Sequence, residues 1–184
     1  MTSGVPYIKQ FNKSSCVAAC FEMVLASYGV KVSQRILYKK AEPTSKGLPY
    51  PNLMLALKDK NFRLERWSNH KSIYNRVRTE KAKRLGLIRF HSKASLSLLK
   101  NFLKKGMPVI VGVHLDTWKN QNLYPEDTHA VVIVGYKNNE FTVNDPATGL
   151  HRRGFKVSQK FLKAAWDKCD NTMSVLTKKP TKIK

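Results

Sequence analysis

The chain of 184 residues is 42% hydrophobic, which is enough for one domain with a buried core and too little to argue for two. Its 34 lysines and arginines against 12 acidic residues give a net charge of +22, far above what solubility needs, and predict an acidic partner such as nucleic acid, an anionic surface or an acidic protein. Three cysteines are too few for a disulfide framework, no Cys/His cluster has metal-site spacing, and no apolar run approaches the ~20 residues of a membrane helix, so no metal, cofactor or membrane span is predicted.

The chain is expected to divide into one folded domain and a short tail. Residues 1–176 are assigned to the domain, and the basic residues 177–184 are expected to be disordered. Residues 69–89 are rich in cations and sparse in apolar side chains, which predicts a basic helical insertion. Because the N-terminus lacks a basic region followed by an apolar core, the protein is expected to be cytoplasmic, or delivered by a route that is independent of a signal peptide.

The first predicted helix begins with a cysteine. A polar run ends at Ser15, and the spacing of the apolar residues after it puts Cys16 in the first helical turn. Unpaired backbone N–H groups and the positive end of the helix dipole favour thiolate over thiol at that position. Cys20 lies one turn later on the apolar stripe, where a free cysteine is an inert core residue. Cys16 is therefore the candidate nucleophile.

Helices and strands are predicted in turn along the rest of the chain. A helix is expected over residues 31–40 behind an N-cap at Ser33, and another begins at Leu53. Residues 62–67 alternate apolar and charged side chains, as a half-buried strand does. The elements expected beyond the basic segment are a helix over 96–103, a buried strand over 107–115, a loop over 118–128 and a closing helix over 161–166.

Two apolar runs near the C-terminal third predict an antiparallel hairpin. The strands are expected over residues 130–136 and 141–146, with a turn between them. His129 opens the first strand and Asp145 ends the second, so both lie near the same end of the hairpin. A thiolate nucleophile needs a base and a third group that orients the base, and this pair supplies both. The remaining histidines are assigned to packing in a strand (His114) or to the surface (His70, His91 and His151).

The register of this hairpin decides whether its His and Asp can meet. With a regular two-residue loop at Asn138 and Asn139, Asp145 would face Val132, on the opposite side of the sheet from the His129 side chain. A hydrogen bond between His129 and Asp145 therefore requires a loop of odd length or a β-bulge near Gly135.

The residues around the thiol form a pattern that is similar to a known family. Gln10 precedes Cys16 by six positions, Ala-Ala-Cys and Met-Val follow in the helix, and Tyr28 and a glycine close it. With His129 before a valine-rich run and Asp145 before proline, the chain resembles the papain-like C39 peptidases. Members of that family cleave leader peptides from bacteriocins, often after a Gly-Gly pair. Ser15 and Val17 stand where the family usually has an acidic residue and a glycine.

The resemblance implies an α+β fold of the papain-like type. Its N-terminal helical half would carry the nucleophile, and its C-terminal antiparallel sheet would carry the His and the Asp. It implies that Cys16 attacks the carbonyl of a peptide or protein substrate, that His129 transfers protons and that Asp145 holds the imidazole. Gln10 matches the family's oxyanion-hole glutamine, whose N–H group would act with the backbone N–H of Cys16.

The same residues are compatible with other functions. The acyl-enzyme could pass to an amine, giving a transpeptidase, or form on a glutamine side chain, giving a deamidase. A toxin or effector domain could use the same chemistry on other targets. A non-catalytic papain-like module could instead bind nucleic acid or an acidic protein through the basic surface, although a pure binder has no need for all three of Cys16, His129 and Asp145.

Overall fold

The computed structural model describes residues 4–44, 47–68, 76–92, 94–119, 128–147 and 152–179. Helices and strands alternate irregularly along these ranges. In chain order they are α1 (Cys16–Ser27), α2 (Gln34–Ala41), α3 (Tyr50–Ala56), β1 (Phe62–Trp67), α4 (Arg76–Arg84), β2 (Ile88–His91), α5 (Leu96–Lys104), β3 (Val109–His114), α6 (Leu115–Lys119), β4 (Thr128–Lys137), β5 (Glu140–Asp145), β6 (Arg152–Ser158), α7 (Gln159–Asp167) and β7 (Met173–Lys178).

The strands form one seven-stranded sheet in the order β2-β1-β7-β3-β4-β5-β6. Every neighbouring pair is antiparallel except β1 and β2, which run parallel. Among the described residues, three α-helices and a short 3-10 helix (Lys58–Lys60) precede the first strand, so the predicted α+β class, with a helical N-terminal part and an antiparallel C-terminal sheet, is confirmed. None of the described helices has the length and apolar character needed to span a bilayer.

Apolar side chains cover both faces of the sheet. Helix α1 packs on one face, where Phe21 and the β4 residue Val132 belong to the same buried cluster. Helices α5 and α7 pack on the other face, where Trp166 and the β4 residue Ile133 are buried together. Cys20 is fully buried and its thiol donates to the Ala130 carbonyl at 3.3 Å, as expected for a core cysteine. The alternation along β4 thus joins the two layers through one strand.

The hairpin of β4 and β5 contains the predicted bulge. Its loop is Asn138 and Asn139, whose φ angles of 51° and 63° suit a type I′ turn. Near the loop Gly135 pairs with Thr142, but farther along Ile133 pairs with Val143, so the register shifts by one residue. Val134 is the extra residue, and everything before it in β4 is displaced by one position relative to β5.

This register shift puts the side chains at the ends of the two strands on the same face of the sheet. In the unshifted register, Asp145 would lie across from Val132 and point to the opposite face from His129. With Val134 as an extra residue, His129, Ile133, Val143 and Asp145 share one face of the hairpin. The prediction that a two-residue loop requires a bulge near Gly135 is confirmed.

Two predicted segments are corrected by the structure. Trp118 lies in α6 and Thr128 begins β4, so the loop expected over 118–128 is wrong at both of its ends, and residues 120–127 lie outside the described ranges. The buried Trp118 side chain anchors α6 to the core, which the polar flanking sequence obscured. Thr177 and Lys178, which were assigned to the tail, continue β7 and pair with β1. Residues 180–184 lie outside the described ranges.

The basic segment and the remaining histidines have mixed outcomes. Helix α4 confirms a basic helix within residues 69–89, of which residues 69–75 are outside the described part of the chain. His91 is not simply a surface residue, because its ring stacks on Trp67 with centroids 4.4 Å apart and its Nε2 lies 2.7 Å from Glu65. His114 ends β3, as expected of a strand residue. His70 and His151 lie outside the described ranges.

Candidate active site

Cys16 is the first residue of α1 and is half-buried. Ser15 precedes it, fully buried, but its hydroxyl does not cap the helix. Instead the Ser15 hydroxyl accepts a hydrogen bond from the Asn12 backbone N–H at 3.1 Å and donates to the Asn12 carbonyl at 3.0 Å. Ser15 therefore fixes the loop that leads into the helix. Because its hydroxyl does not cap α1, it leaves the first backbone N–H groups of the helix, which lie beside Cys16, unoccupied.

His129 and Asp145 meet at the bulged end of the hairpin. His129 Nε2 donates to Asp145 Oδ1 at 2.7 Å, and both side chains are buried. Asp145 accepts two further hydrogen bonds, from the backbone N–H of Ala147 at 2.9 Å and from the indole N–H of Trp118 at 2.8 Å. Three donors on one carboxylate fix its orientation and satisfy most of its acceptor capacity in a buried site.

The thiol of Cys16 interacts with the same imidazole. Burial raises the pKa of the thiol, but the hydrogen bond and positive charge of His129, together with the backbone N–H groups of Ala130 and Val17, outweigh it, and the pKa falls below its usual value. The other two cysteines differ. Burial raises the pKa of Cys20 well above the ordinary range, and burial together with the charge of Asp170 raises the pKa of Cys169 to about 12.

His129 and Asp145 each stabilise the charged form of the other. Burial lowers the pKa of His129, but its hydrogen bonds and charge interactions with Asp145 and Cys16 exceed this effect and raise the pKa to about 9. Burial raises the pKa of Asp145, yet the hydrogen bonds and charge from His129, with those from Ala147 and Trp118, bring it below its usual value. These pKa shifts therefore favour the thiolate of Cys16, the imidazolium of His129 and the carboxylate of Asp145 over their neutral forms.

Gln10 lies in the loop before α1, beside the end of β5. Its backbone N–H donates to the Pro146 carbonyl at 2.9 Å, and its side-chain Nε2 donates to the Asn12 carbonyl at 2.8 Å. The side chain is 5% exposed, and within the described residues its Oε1 has no hydrogen-bond partner. One amide N–H thus remains for another acceptor. Its role in an oxyanion hole stays a prediction.

A cavity of about 250 Å³ opens beside the thiol. Cys16 and His129 line it together with residues of α3, β1, β3 and the segment between α7 and β7. The sequence patterns missed two side chains near this centre, Trp118 and Arg66. Trp118 stood in a polar stretch without periodicity, and Arg66 was counted among the charged positions of its strand although it shares a face with Phe62 and Leu64. The presence of a single large apolar side chain, Trp118, among polar residues was the sequence signal that this residue is buried.

A half-buried thiol at a helix N-terminus, beside an imidazole that a carboxylate orients, is the arrangement that a cysteine nucleophile requires. Residues 2–174 match the Peptidase_C39 like family, and the chain belongs to that family. By family it is a cysteine peptidase, with the papain-like fold of the C39 peptidase domains. No curated protein matches it in sequence.

Solved structures with the same fold cover nearly the whole chain. The peptidase domain of the Streptococcus bifunctional ABC transporter ComA has 15% identity and a TM-score of 0.62, covering 96% of this chain and 99% of that domain. A C39-like peptidase from Bacillus anthracis has 17% identity and a TM-score of 0.63, covering 98% of each chain. A double glycine motif protease from the AMS/PCAT transporter, solved with its leader peptide, has 20% identity and a TM-score of 0.52, covering 96% of this chain and 92% of that one.

The lowered pKa of Cys16 and the raised pKa values of Cys20 and Cys169 predict that the three thiols differ in reactivity. Iodoacetamide near neutral pH should alkylate Cys16 well before Cys20 or Cys169, as read by peptide mass spectrometry. His129→Ala should move the inflection of Cys16 alkylation to higher pH, because the burial that raises the thiol pKa remains and the compensating charge is lost. His91→Ala is the control, since it removes another carboxylate-bound imidazole outside this site. Equal labelling of all three cysteines, or an unchanged profile in His129→Ala, would contradict the ion pair.

Proposed function

We propose that the protein hydrolyses peptide bonds through an acyl-enzyme formed on Cys16. The observation that supports this most is the chain of hydrogen bonds and charges from Asp145 through His129 to the thiol. The thiolate attacks the scissile carbonyl, and the His129 imidazolium gives its proton to the departing amine. Neutral His129 then takes a proton from water, and the resulting hydroxide releases the acyl group. Asp145 holds the imidazole orientation in both steps.

The oxyanion of the tetrahedral intermediate needs donors that are already in place. The backbone N–H of Cys16 is one candidate, because the first N–H groups of a helix have no partner within that helix. Gln10 is the other, since one of its amide N–H groups is free after the bond to Asn12. The bond from the Gln10 backbone to Pro146 holds this loop against the strand end that carries Asp145, which supports a shared site.

The substrate that we propose is a peptide or a protein segment in extended conformation. The AMS/PCAT protease was solved with a leader peptide, which supports a peptide ligand for a chain of the same fold. The cavity beside Cys16 is small, at about 250 Å³, so it holds one or two side chains of such a segment rather than a folded domain. A Gly-Gly pair before the scissile bond is one sequence that the substrate screen below includes.

A peptide library read by mass spectrometry tests this function. Wild-type protein should cleave a defined subset of peptides, and Cys16→Ala should abolish cleavage while keeping the melting temperature of the wild type. Cys20→Ala is the matched control: it removes a fully buried thiol one turn away, and should retain turnover while lowering stability by roughly 1–2 kcal/mol. Adding an amine nucleophile distinguishes transpeptidation, and the mass increase of glutamine peptides reports deamidation. Cleavage that survives in Cys16→Ala would contradict the nucleophile.

We further propose that α4 binds a polyanion, nucleic acid or an acidic protein surface. Arg76, Lys81 and Arg84 are exposed along it, whereas Arg78 bonds Glu42 at 2.6 Å. No residue of α4 is among those lining the cavity beside Cys16, so docking and catalysis would use different surfaces.

Neutralising Arg76, Lys81 and Arg84 together should lower DNA affinity and reduce the slope of log affinity against log salt by roughly 0.9 for each phosphate that the variant no longer neutralises. Peptide turnover should not change. The control neutralises three exposed lysines elsewhere, Lys31, Lys58 and Lys60. Unchanged DNA binding in the α4 variant would reject the docking role of α4, and a loss of turnover in a variant that still folds would contradict the separation of surfaces.

A further inference from the structure

A buried guanidinium lines the cavity beside the candidate nucleophile. Arg66 lies on β1 and is only 7% exposed, yet it contributes to the same cavity wall as Cys16 and His129. Its Nη1 donates to Ser174 Oγ at 2.9 Å, and its guanidinium carbon lies 3.9 Å from the centroid of the Tyr50 ring. Its Nε is buried and has no hydrogen-bond partner among the residues that the structure describes.

The charge of Arg66 is not neutralised by a carboxylate in the described part of the chain. The adjacent Glu65 is bound instead by Arg63 at 2.5 Å and by His91 at 2.7 Å. Lys168 and Asp170 also line the cavity, so its wall carries two basic side chains, Arg66 and Lys168, against one acidic side chain, and its net charge from these three is positive. Because an arginine is always ionised and a buried charge is costly without a partner, this guanidinium is poised to receive an anion.

The fold holds Arg66 in a fixed position. β1 pairs with β7 so that Arg66 lies directly across from Ser174, the residue that accepts its hydrogen bond. The ring of Tyr50, at the start of α3, covers the guanidinium from one side. Gly112 lines the same cavity, and a Cβ atom there would lie 2.4 Å from Thr172 Oγ1, so a side chain at 112 would displace the cavity wall. The contacts with Ser174 and Tyr50 therefore hold the guanidinium in one position, so little conformational freedom is lost when it binds a ligand.

We propose that Arg66 is a substrate-binding residue that fixes a carboxylate of the peptide in the cavity beside Cys16. The inference rests on the peptidase function proposed for that thiol. The planar guanidinium still has donors available to a carboxylate, and a charge-assisted bond in a buried site is stronger than one in water. The carboxylate comes from an Asp or Glu side chain near the scissile bond, or from the C-terminus of the peptide. Peptides with an acidic group at that position are cleaved in preference to their amide isosteres, by about tenfold or more in kcat/KM.

Alkylation of Cys16 tests this without any known substrate. Iodoacetate carries a carboxylate and iodoacetamide is its neutral isostere, so the ratio of their rate constants measures anion recognition beside the thiol. Arg66→Gln should lower this ratio about tenfold, and because the ratio is taken on the same variant, any change in the thiolate fraction of Cys16 cancels; Arg66→Lys should retain part of the preference. Arg63→Gln is the matched control, because it removes the same charge from the same strand, and Arg63 is not among the residues that line the cavity.

Two peptides identify the source of the carboxylate by protecting Cys16 from iodoacetamide. One has an internal Glu and an amidated C-terminus, and the other has only neutral side chains and a free C-terminus. Protection by either that weakens in Arg66→Gln supports the proposal and assigns the source, and protection by neither overturns it. If Arg66→Gln fails to fold, wild-type protein decides: an iodoacetate to iodoacetamide ratio no higher than that of free cysteine overturns the proposal.

The result separates the two proposals for this site. If Cys16 does not react preferentially with iodoacetamide, the peptidase function fails and the role of Arg66 fails with it. If Cys16 reacts rapidly but the ratio is the same in wild type, Arg66→Gln and Arg63→Gln, only the role of Arg66 is overturned. Thermal unfolding of each variant shows that the comparison is made on folded protein.

Discussion

One extra residue in β4 determines whether the candidate site can exist. Without the bulge at Val134, the two-residue loop would place His129 and Asp145 on opposite faces of the sheet, and no side-chain rotation could join them. With it, they form a hydrogen bond of 2.7 Å at the strand ends. The near turn stays regular because Asn138 and Asn139 both adopt positive φ angles. The bulge therefore reconciles a tight turn with the pairing of the two side chains.

The His129–Asp145 pair in turn stabilises the charge on the thiol. Trp118 and the Ala147 N–H help to hold the Asp145 carboxylate ionised, and the carboxylate in turn favours the imidazolium form of His129. The imidazolium favours thiolate over thiol at Cys16, against the effect of burial. Each member is stable only while its neighbour is charged, since an isolated buried ion is costly. Arg66 adds a fixed positive charge to the wall of the same cavity and is not one of these three interacting residues.

The sequence was sufficient where local periodicity and residue order decide the structure. The apolar stripe predicted α1 with Cys16 in its first turn, and the hairpin pattern predicted both the His129–Asp145 end and the need for a bulge. What it missed depends on tertiary contacts. Arg66 shares the face of Phe62 and Leu64, so the period of two indicated an inward side chain, but its contacts with Tyr50 and with Ser174 on β7 could not be read from the sequence. The role of Trp118 depends on its hydrogen bond to the carboxylate of Asp145, which lies 27 positions further along the chain.

The ionisation of His129 tests the central claim most directly. Nitrogen NMR of the imidazole rings, followed across pH, reports whether each of the five histidines is singly or doubly protonated. In the wild type, His129 should remain an imidazolium through neutral pH and titrate near 9. Cys16→Ser, which removes the thiolate but keeps a similar shape, should lower that pKa because one of the negative partners is lost. Titration of wild-type His129 near its ordinary pKa of about 6.5, or a value unchanged in Cys16→Ser, would contradict the thiolate–imidazolium pair.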